Sequence, residues 1–265
     1  MIATLALAGR SLRRFRRSPA QIVASIIFPG LLLVVLLACF GELVEEFTGA
    51  DYVSRIVPGI VAMSLAYGAV ASGVSMLEDL RDGFAGRLKV MPVATGALLA
   101  GRVTADAVRG AMSTTVLTVL GFAVGFRFET GVTGVIAFVL LAALATTGFS
   151  WLALSVGTRA PGIEAVAAPL NALFLVCLFL SEGFVPIEGY PGWAQPIVRA
   201  NPFTCIRNAL AAIAEGGSTR QPVLYALAWI AGLTLVFAPL AITGFRARSR
   251  TTGPGPAPTV AEARV

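Results

Sequence analysis

The sequence predicts an all-α integral membrane protein that crosses the bilayer about six times, with both ends on the cytoplasmic side. Three observations lead there. Of 265 residues, 57% are hydrophobic and only 13% charged, where a soluble domain carries about 25% charged residues. The mean hydropathy is +0.83, a surplus too large for one core to absorb, so most apolar surface must face lipid. The apolar residues also fall into runs of roughly 20, long enough to cross the hydrocarbon layer as helices. The short alternating strands that a barrel would need do not appear. Finally, the basic residues border these runs asymmetrically, which is a topology signal.

The elements follow in order. Residues 2–17 place Ile2, Leu5, Leu12 and Phe15 on one side of a helix and Arg13, Arg14, Arg16 and Arg17 largely on the other. That is the pattern of a helix lying on the membrane surface, and Pro19 ends it. Span one covers about 22–40, and the acidic stretch Glu42, Glu45, Glu46 and Asp51 follows it. Span two covers about 56–76, and a polar segment at 77–102 leads to span three, about 107–126. Short turns at 127–131 and 158–162 flank span four, about 132–156. Span five is about 165–180. The stretch 181–222 is aromatic, proline-rich and too interrupted to span. Span six is about 223–245. The tail, 247–265, carries Gly253-Pro254-Gly255-Pro256 and is expected to be disordered on the cytoplasmic side.

The cations orient the spans. With the first flank inside, Arg10, Arg13, Arg14, Arg16, Arg17, Arg81, Arg87, Lys89, Arg102, Arg159, Arg246, Arg248, Arg250 and Arg264 are cytoplasmic. Only Arg55, Arg127, Arg199, Arg207 and Arg220 are outside. Both ends are therefore expected inside, in the cell membrane, and the basic clusters are no nucleic-acid footprint. Two decoys are set aside. Arg13-Arg14 loosely matches a twin-arginine signal and Leu36-Leu37-Ala38-Cys39 fits a lipoprotein cleavage box, but the later spans already anchor the chain.

Composition also excludes chemistry. Histidine is absent, which removes Ser-His and Cys-His dyads and most catalytic zinc sites. Cys39, Cys177 and Cys205 lie far apart, so neither metal spacing nor a disulfide framework follows. No metal and no catalytic residue is expected. Ser150 in Gly148-Phe149-Ser150-Trp151 is the one nucleophile-like position, and it lacks a base.

Two segments carry candidate mechanism. In 77–92, Leu77, Leu80, Phe84, Leu88 and Met91 recur at helical spacing, with Glu78, Asp79, Arg81, Asp82, Arg87 and Lys89 between them. Gly83 and Gly86 each weaken a continuous helix by up to ~1 kcal/mol, so a bend is expected. Such an element can pass a push from a soluble partner into the spans, or be an ordinary solvated loop helix. In 181–203, Phe184, Tyr190 and Trp193 suit the water–lipid boundary, while Gly183, Pro186, Pro191, Gly192 and Pro196 break helices. Non-spanning backbone at this depth needs protein or a water-filled cavity around it. A re-entrant turn near an exit path and a plain aromatic belt both fit. Asp106 and Arg109, one helical turn apart, are expected to pair or snorkel near the cytoplasmic interface. Glu164 and Glu182 flank span five. Gly121 and Gly125 form a weak small-residue helix-packing pattern.

With these residues in view, the chain resembles the permease subunits of ABC type-two exporters, in particular the daunorubicin-resistance-like branch. The first signature is Glu78-Asp79-Leu80-Arg81-Asp82-Gly83, then Arg87-Leu88 and Met91-Pro92, followed by Gly101-Arg102 and Asp106. The second is Gly183-Phe184-Val185-Pro186, then Pro191-Gly192-Trp193 and Asn201-Pro202. The resemblance covers about residues 10–246. It implies that the helix with Arg13, Arg14, Arg16 and Arg17 (residues 1–20) is an elbow and that residues 78–92 couple to an ATPase. Residues 181–203 would form short re-entrant helices at the outer face. It further implies two permeases per pore, as homodimer or with a close paralogue, and a separate cytosolic ABC ATPase that binds ATP and Mg. Gly-xxxx-Gly-Lys-Ser/Thr is absent from this chain and its one lysine is Lys89, so it cannot cradle phosphates in the P-loop manner.

The function expected is thus the membrane subunit of an ATP-driven exporter. The alternative is a stand-alone ion-coupled secondary transporter, which should carry a midplane carboxylate or broken helices at a repeat interface, and neither is obvious. Family analogy points to hydrophobic drug-, antibiotic- or lipid-like cargo.

Overall fold

The computed structural model describes residues 27–48, 52–81, 95–183 and 187–251. Every regular element among them is helical. These are α1 (Phe28–Thr48), α2 (Tyr52–Arg81), α3 (Thr95–Ala123), α4 (Gly131–Gly157), α5 (Ile163–Phe179), α6 (Gln195–Ala200), α7 (Pro202–Glu215) and α8 (Arg220–Thr251), with a 3-10 turn at Ile187–Gly189. The expected surface helix with Arg13, Arg14, Arg16 and Arg17 lies outside the described residues.

Among the described residues, three helices are long and apolar enough to cross a membrane: Val53–Arg81, Gly131–Gly157 and Arg220–Arg248. The others fall short for visible reasons. α3 has 29 residues but carries Arg102, Asp106 and Arg109. α5 has 17, about 26 Å of helix against about 30 Å of hydrocarbon. In α1 the apolar part is Pro29–Cys39, and the helix continues through Glu42, Glu45 and Glu46, which the sequence places in a connection. Cys39 sits inside that continuous helix.

Helix ends differ from the expected spans mostly on the inner side. α2 runs on through Glu78-Asp79-Leu80-Arg81, and α3 starts at Thr95, so much of the expected 77–102 loop is helix. Hydropathy marks the lipid crossing, whereas backbone hydrogen bonding continues past it into water. α8 likewise passes residue 246 to Thr251. The Gly121–Gly125 pattern does not form a helix face. α3 stops at Ala123, and Gly125 turns the chain at φ +100°, a backbone conformation that favours glycine.

α4 is the packing hub, lying against α8, α2 and α3, and α2 is the most enclosed helix. The α2–α4 contact is close because it is built on glycine. A Cβ on Gly73 would stand 2.8 Å from Ala153 O, and one on Gly157 would collide with the Gly73 carbonyl. Small residues let membrane helices approach where apolar burial gives no net drive. Phe149, Phe174 and Phe203 meet with centroids 5.5–6.1 Å apart, joining α4, α5 and α7. α5 buries only the stripe Val166, Leu170, Phe174 and Leu178, and α8 exposes Leu224, Leu227, Leu235, Val236 and Leu240.

Candidate functional site

At one end of the bundle, the last turn of α2 is the described part of the expected coupling segment. Asp79 Oδ2 pairs with Arg102 Nη1 of α3 at 2.6 Å. The same guanidinium donates to Ser75 Oγ and, at 3.5 Å, to Ser72 O. Deeper in the bundle, Ser72 Oγ donates to Asp106 Oδ2. Asp106 Oδ1 pairs with Arg109 Nη2 at 2.9 Å, and Arg109 donates to Gly68 O at 2.9 Å. A polar seam therefore zips α2 to α3 from Gly68 to Asp79. Asp106 and Arg109 pair as expected and are 5% and 9% exposed, in the middle of α3, which starts a dozen residues before the predicted apolar run. Ion pairs survive such burial only when further hydrogen bonds fill their remaining sites, and here Ser72 and Gly68 do so. Neither serine stands out in the sequence; their three-residue spacing on an apolar helix was the available signal.

Arg81, also from the first signature, reaches across to the α4–α5 turn and donates to Pro161 O at 2.7 Å. Arg248 of α8 donates to Ala160 O at 2.7 Å. Arg159 donates to Ser155 O at 3.1 Å and to Thr243 Oγ1 at 3.0 Å. The carbonyls where α4 ends thus face three arginines, the charge sign that a helix C-terminus favours. Glu78 is half-buried beside this end. Asp82, Gly83, Gly86, Arg87, Leu88 and Pro92 lie outside the described residues.

At the opposite end, α5 stops at Phe179, and each of its last four carbonyls has a partner. Val176 O accepts from Leu180 N at 3.0 Å, and Cys177 O from Asn201 Nδ2 at 2.7 Å. Leu178 O accepts from Ser181 Oγ at 2.6 Å and Phe179 O from the Tyr190 hydroxyl at 2.7 Å. Asn201 spends its second amide proton on Leu180 O at 2.7 Å and accepts from Phe203 N at 2.8 Å. One side chain thereby closes the end of α5 and caps the start of α7, with Pro202 at the first helical position, where its missing N–H costs nothing. Free carbonyls of this kind are costly in lipid. The Asn201-Pro202 pair therefore has a physical reason to exist.

Other signature residues fall around this cap. Gly183 packs its backbone on α2, 3.4 Å from where a Cβ on Gly59 would stand. Glu182 N donates to Thr204 Oγ1 at 3.2 Å, and its carboxylate accepts from Asn208 Nδ2 at 2.9 Å. Pro191 and Trp193 sit on the surface, Trp193 at 76% exposed, as an aromatic-belt residue would. Phe184 and Pro186 lie outside the described residues. The far end of α7 is closed by the α3–α4 turn, where Thr130 Oγ1 donates to Ile213 O at 2.7 Å and Glu129 N to Ala214 O at 2.9 Å. Ser150 is fully buried, and among the described residues no group of three or more acidic or cysteine side chains could hold a metal.

A helical bundle with long apolar helices, an ion pair sealed inside it and two short helices folded into one end fits a helical membrane protein. The chain belongs to the ABC-2 type transporter family, whose model matches residues 2–214. It is 32% identical to a probable doxorubicin resistance ABC transporter permease protein, DrrC, of Mycobacterium tuberculosis, across 93% of this chain and 89% of that one. It is 29% identical to a daunorubicin resistance ABC transporter permease protein, DrrB1, of Streptomyces coeruleorubidus, across 92% and 86%. A putative transport permease, ycf38, of Porphyra purpurea is 26% identical across 75% and 69%. This protein is accordingly the membrane permease subunit of an ABC exporter, and membership of the family implies an ATP-binding partner subunit.

Proposed function

We propose that this permease extrudes a hydrophobic drug-, antibiotic- or lipid-like molecule across the cell membrane, with residues 78–92 as its contact to a separate cytosolic ATPase. In this reading the chain spans six times with both ends inside, and its N-terminal basic helix lies on the inner surface as an elbow. A second permease copy or paralogue completes the path. ATP and Mg belong to the partner, since this sequence has no P-loop.

The observation that carries the coupling role is the wiring of the last turn of α2. Asp79 holds α3 through Arg102, and Arg81 holds the α4–α5 turn through Pro161 O. A displacement that reaches Arg81 would pass directly to α3 and to the α4–α5 turn. The seam is sealed on its buried side by the Asp106–Arg109 pair, so α2 and α3 would move together. The relatives' printed names, doxorubicin and daunorubicin resistance, support a drug-like cargo by analogy.

The test is reconstitution of the permease with its ATPase in proteoliposomes. Cargo-stimulated ATP hydrolysis is expected to fall at least about tenfold in Arg87→Glu, the loss of a contact worth ~1.4 kcal/mol or more, while the complex still assembles. Unchanged stimulation would remove the coupling assignment. Cargo movement by the permease alone, driven by an ion gradient, would overturn the whole reading.

A further inference from the structure

We propose that the outer groove between α7 and α8 is a binding site for a bilayer phospholipid whose headgroup carries both an ammonium and a phosphate. The groove encloses about 820 Å³, within the size range of small-molecule sites. Glu182, Thr204 and Asn208 form one wall, Arg199 stands at another, and Tyr225 and Trp229 of α8 close the third.

The charges decide what fits. Glu182 is held in place by Thr204 through its backbone N–H and by Asn208 through Oε2. Among the described residues its carboxylate makes no ion pair, so Oε1 still has acceptor capacity. Arg207, whose charge acts on Glu182 from beyond contact distance, donates to Asn208 Oδ1 at 2.8 Å. It therefore orients the amide that orients Glu182, and makes no ion pair with the acid itself. Arg199 lines the same groove, is exposed, and makes no ion pair with Glu182. One groove thus presents a fixed acceptor for an ammonium and a mobile guanidinium for a phosphate, left unpaired by each other. An ammonium alone would leave Arg199 unused, and a phosphate alone would meet the like charge of Glu182.

The depth fits as well. Along α8 the lining runs from Gln221 to Trp229, about 12 Å of helix, which covers the ~6 Å headgroup layer and the first part of the hydrocarbon. Tyr225 and Trp229, 55% and 37% exposed, are the amphipathic rings that settle at that boundary. Below them α8 exposes Leu235, Val236 and Leu240, against which acyl chains can lie. A primary ammonium can donate to Glu182 where a quaternary one cannot, so ethanolamine headgroups should be preferred over choline.

The test uses the full permease with its ATPase in nanodiscs of equimolar phosphatidylethanolamine and phosphatidylglycerol, with co-purifying lipid counted by native mass spectrometry. Wild type should retain phosphatidylethanolamine over phosphatidylglycerol by about tenfold, the size of one charge-assisted hydrogen bond. Glu182→Gln should reduce that ratio severalfold, whereas Arg199→Gln should lower the retention of both lipids alike, since both carry the phosphate. Arg199 is exposed, so its variant will fold, and thermal unfolding checks the Glu182 variant. Equal retention of the two lipids by wild type, or a ratio unmoved by Glu182→Gln, overturns the proposal. Total lipid retention unmoved by Arg199→Gln overturns it in favour of an amphiphile bearing only a cation. Transport of cargo is not read out, so the outcome stands apart from the fate of the export reading.

Discussion

The two ends of the bundle satisfy the same need by opposite means. Where α4 ends, its carbonyls and those of the following turn are met by Arg159, Arg81 and Arg248. Where α5 ends, its carbonyls are met by Asn201, Ser181 and Tyr190. Both are helix C-termini, and the macrodipole favours cations at either. The local field therefore does not explain the difference. The neighbouring segments do: α2 and α8 bring arginines to one terminus, and the stretch from Ser181 to Asn201 brings neutral donors to the other. A second contrast follows. At the α4 terminus three arginines share the work, whereas Asn201 alone serves α5 and α7 together, so that cap concentrates its risk in one residue.

That contrast can be broken at its strongest point first. Asp106→Leu leaves Arg109 buried without its counter-ion and should cost about 3–5 kcal/mol, read as a lower unfolding midpoint in detergent or nanodiscs. The double variant Asp106→Leu/Arg109→Met should recover most of that loss, which a single large packing defect would not. Next, Asn201→Ala removes a helix cap and two carbonyl partners together, for about 2–4 kcal/mol. Asn201→Asp sharpens the point, because the carboxylate still accepts from Phe203 N but cannot donate to Cys177 O or Leu180 O. It should recover the cap, about 1 kcal/mol, and no more. Gly157→Ala drives a methyl into the Gly73 carbonyl and should cost about 1–3 kcal/mol, with Gly73→Ala similar. Smallest is Arg81→Leu, whose exposed hydrogen bond should matter by less than ~1 kcal/mol in stability. It should nonetheless lower cargo-stimulated ATP hydrolysis in the reconstituted complex. A variant that lost stability but kept coupling would reverse the roles assigned to the two ends.

Much of the frame was legible from the chain alone. The turns at 127–131 and 158–162 fall where the sequence places them, and α4 ends within a residue of its predicted run, because turn residues and apolar length are local properties. Asp106 and Arg109 were visible as a pair, since three-residue spacing on a helix suffices for that. Their burial against α2 was not visible, because α3 begins at Thr95, inside a segment polar enough to be taken for loop. Asn201-Pro202 was recognisable as a signature, yet its work on Cys177 O and Leu180 O spans more than twenty residues of sequence, and no local pattern encodes it. Tyr190 was assigned to the aromatic belt; its ring has that character, but its hydroxyl is committed to Phe179 O.

By itself the sequence determined that this protein lives in a membrane as helices, because transfer of apolar side chains and hydrogen bonding of backbone within a segment are sums over neighbouring residues. The tertiary structure alone decided which polar groups meet: Ser72 with Asp106, Arg81 with Pro161, Asn201 with the end of α5. Those partners lie on different helices, and only packing to within hydrogen-bond distance, set by glycines such as Gly73 and Gly157, brings them together.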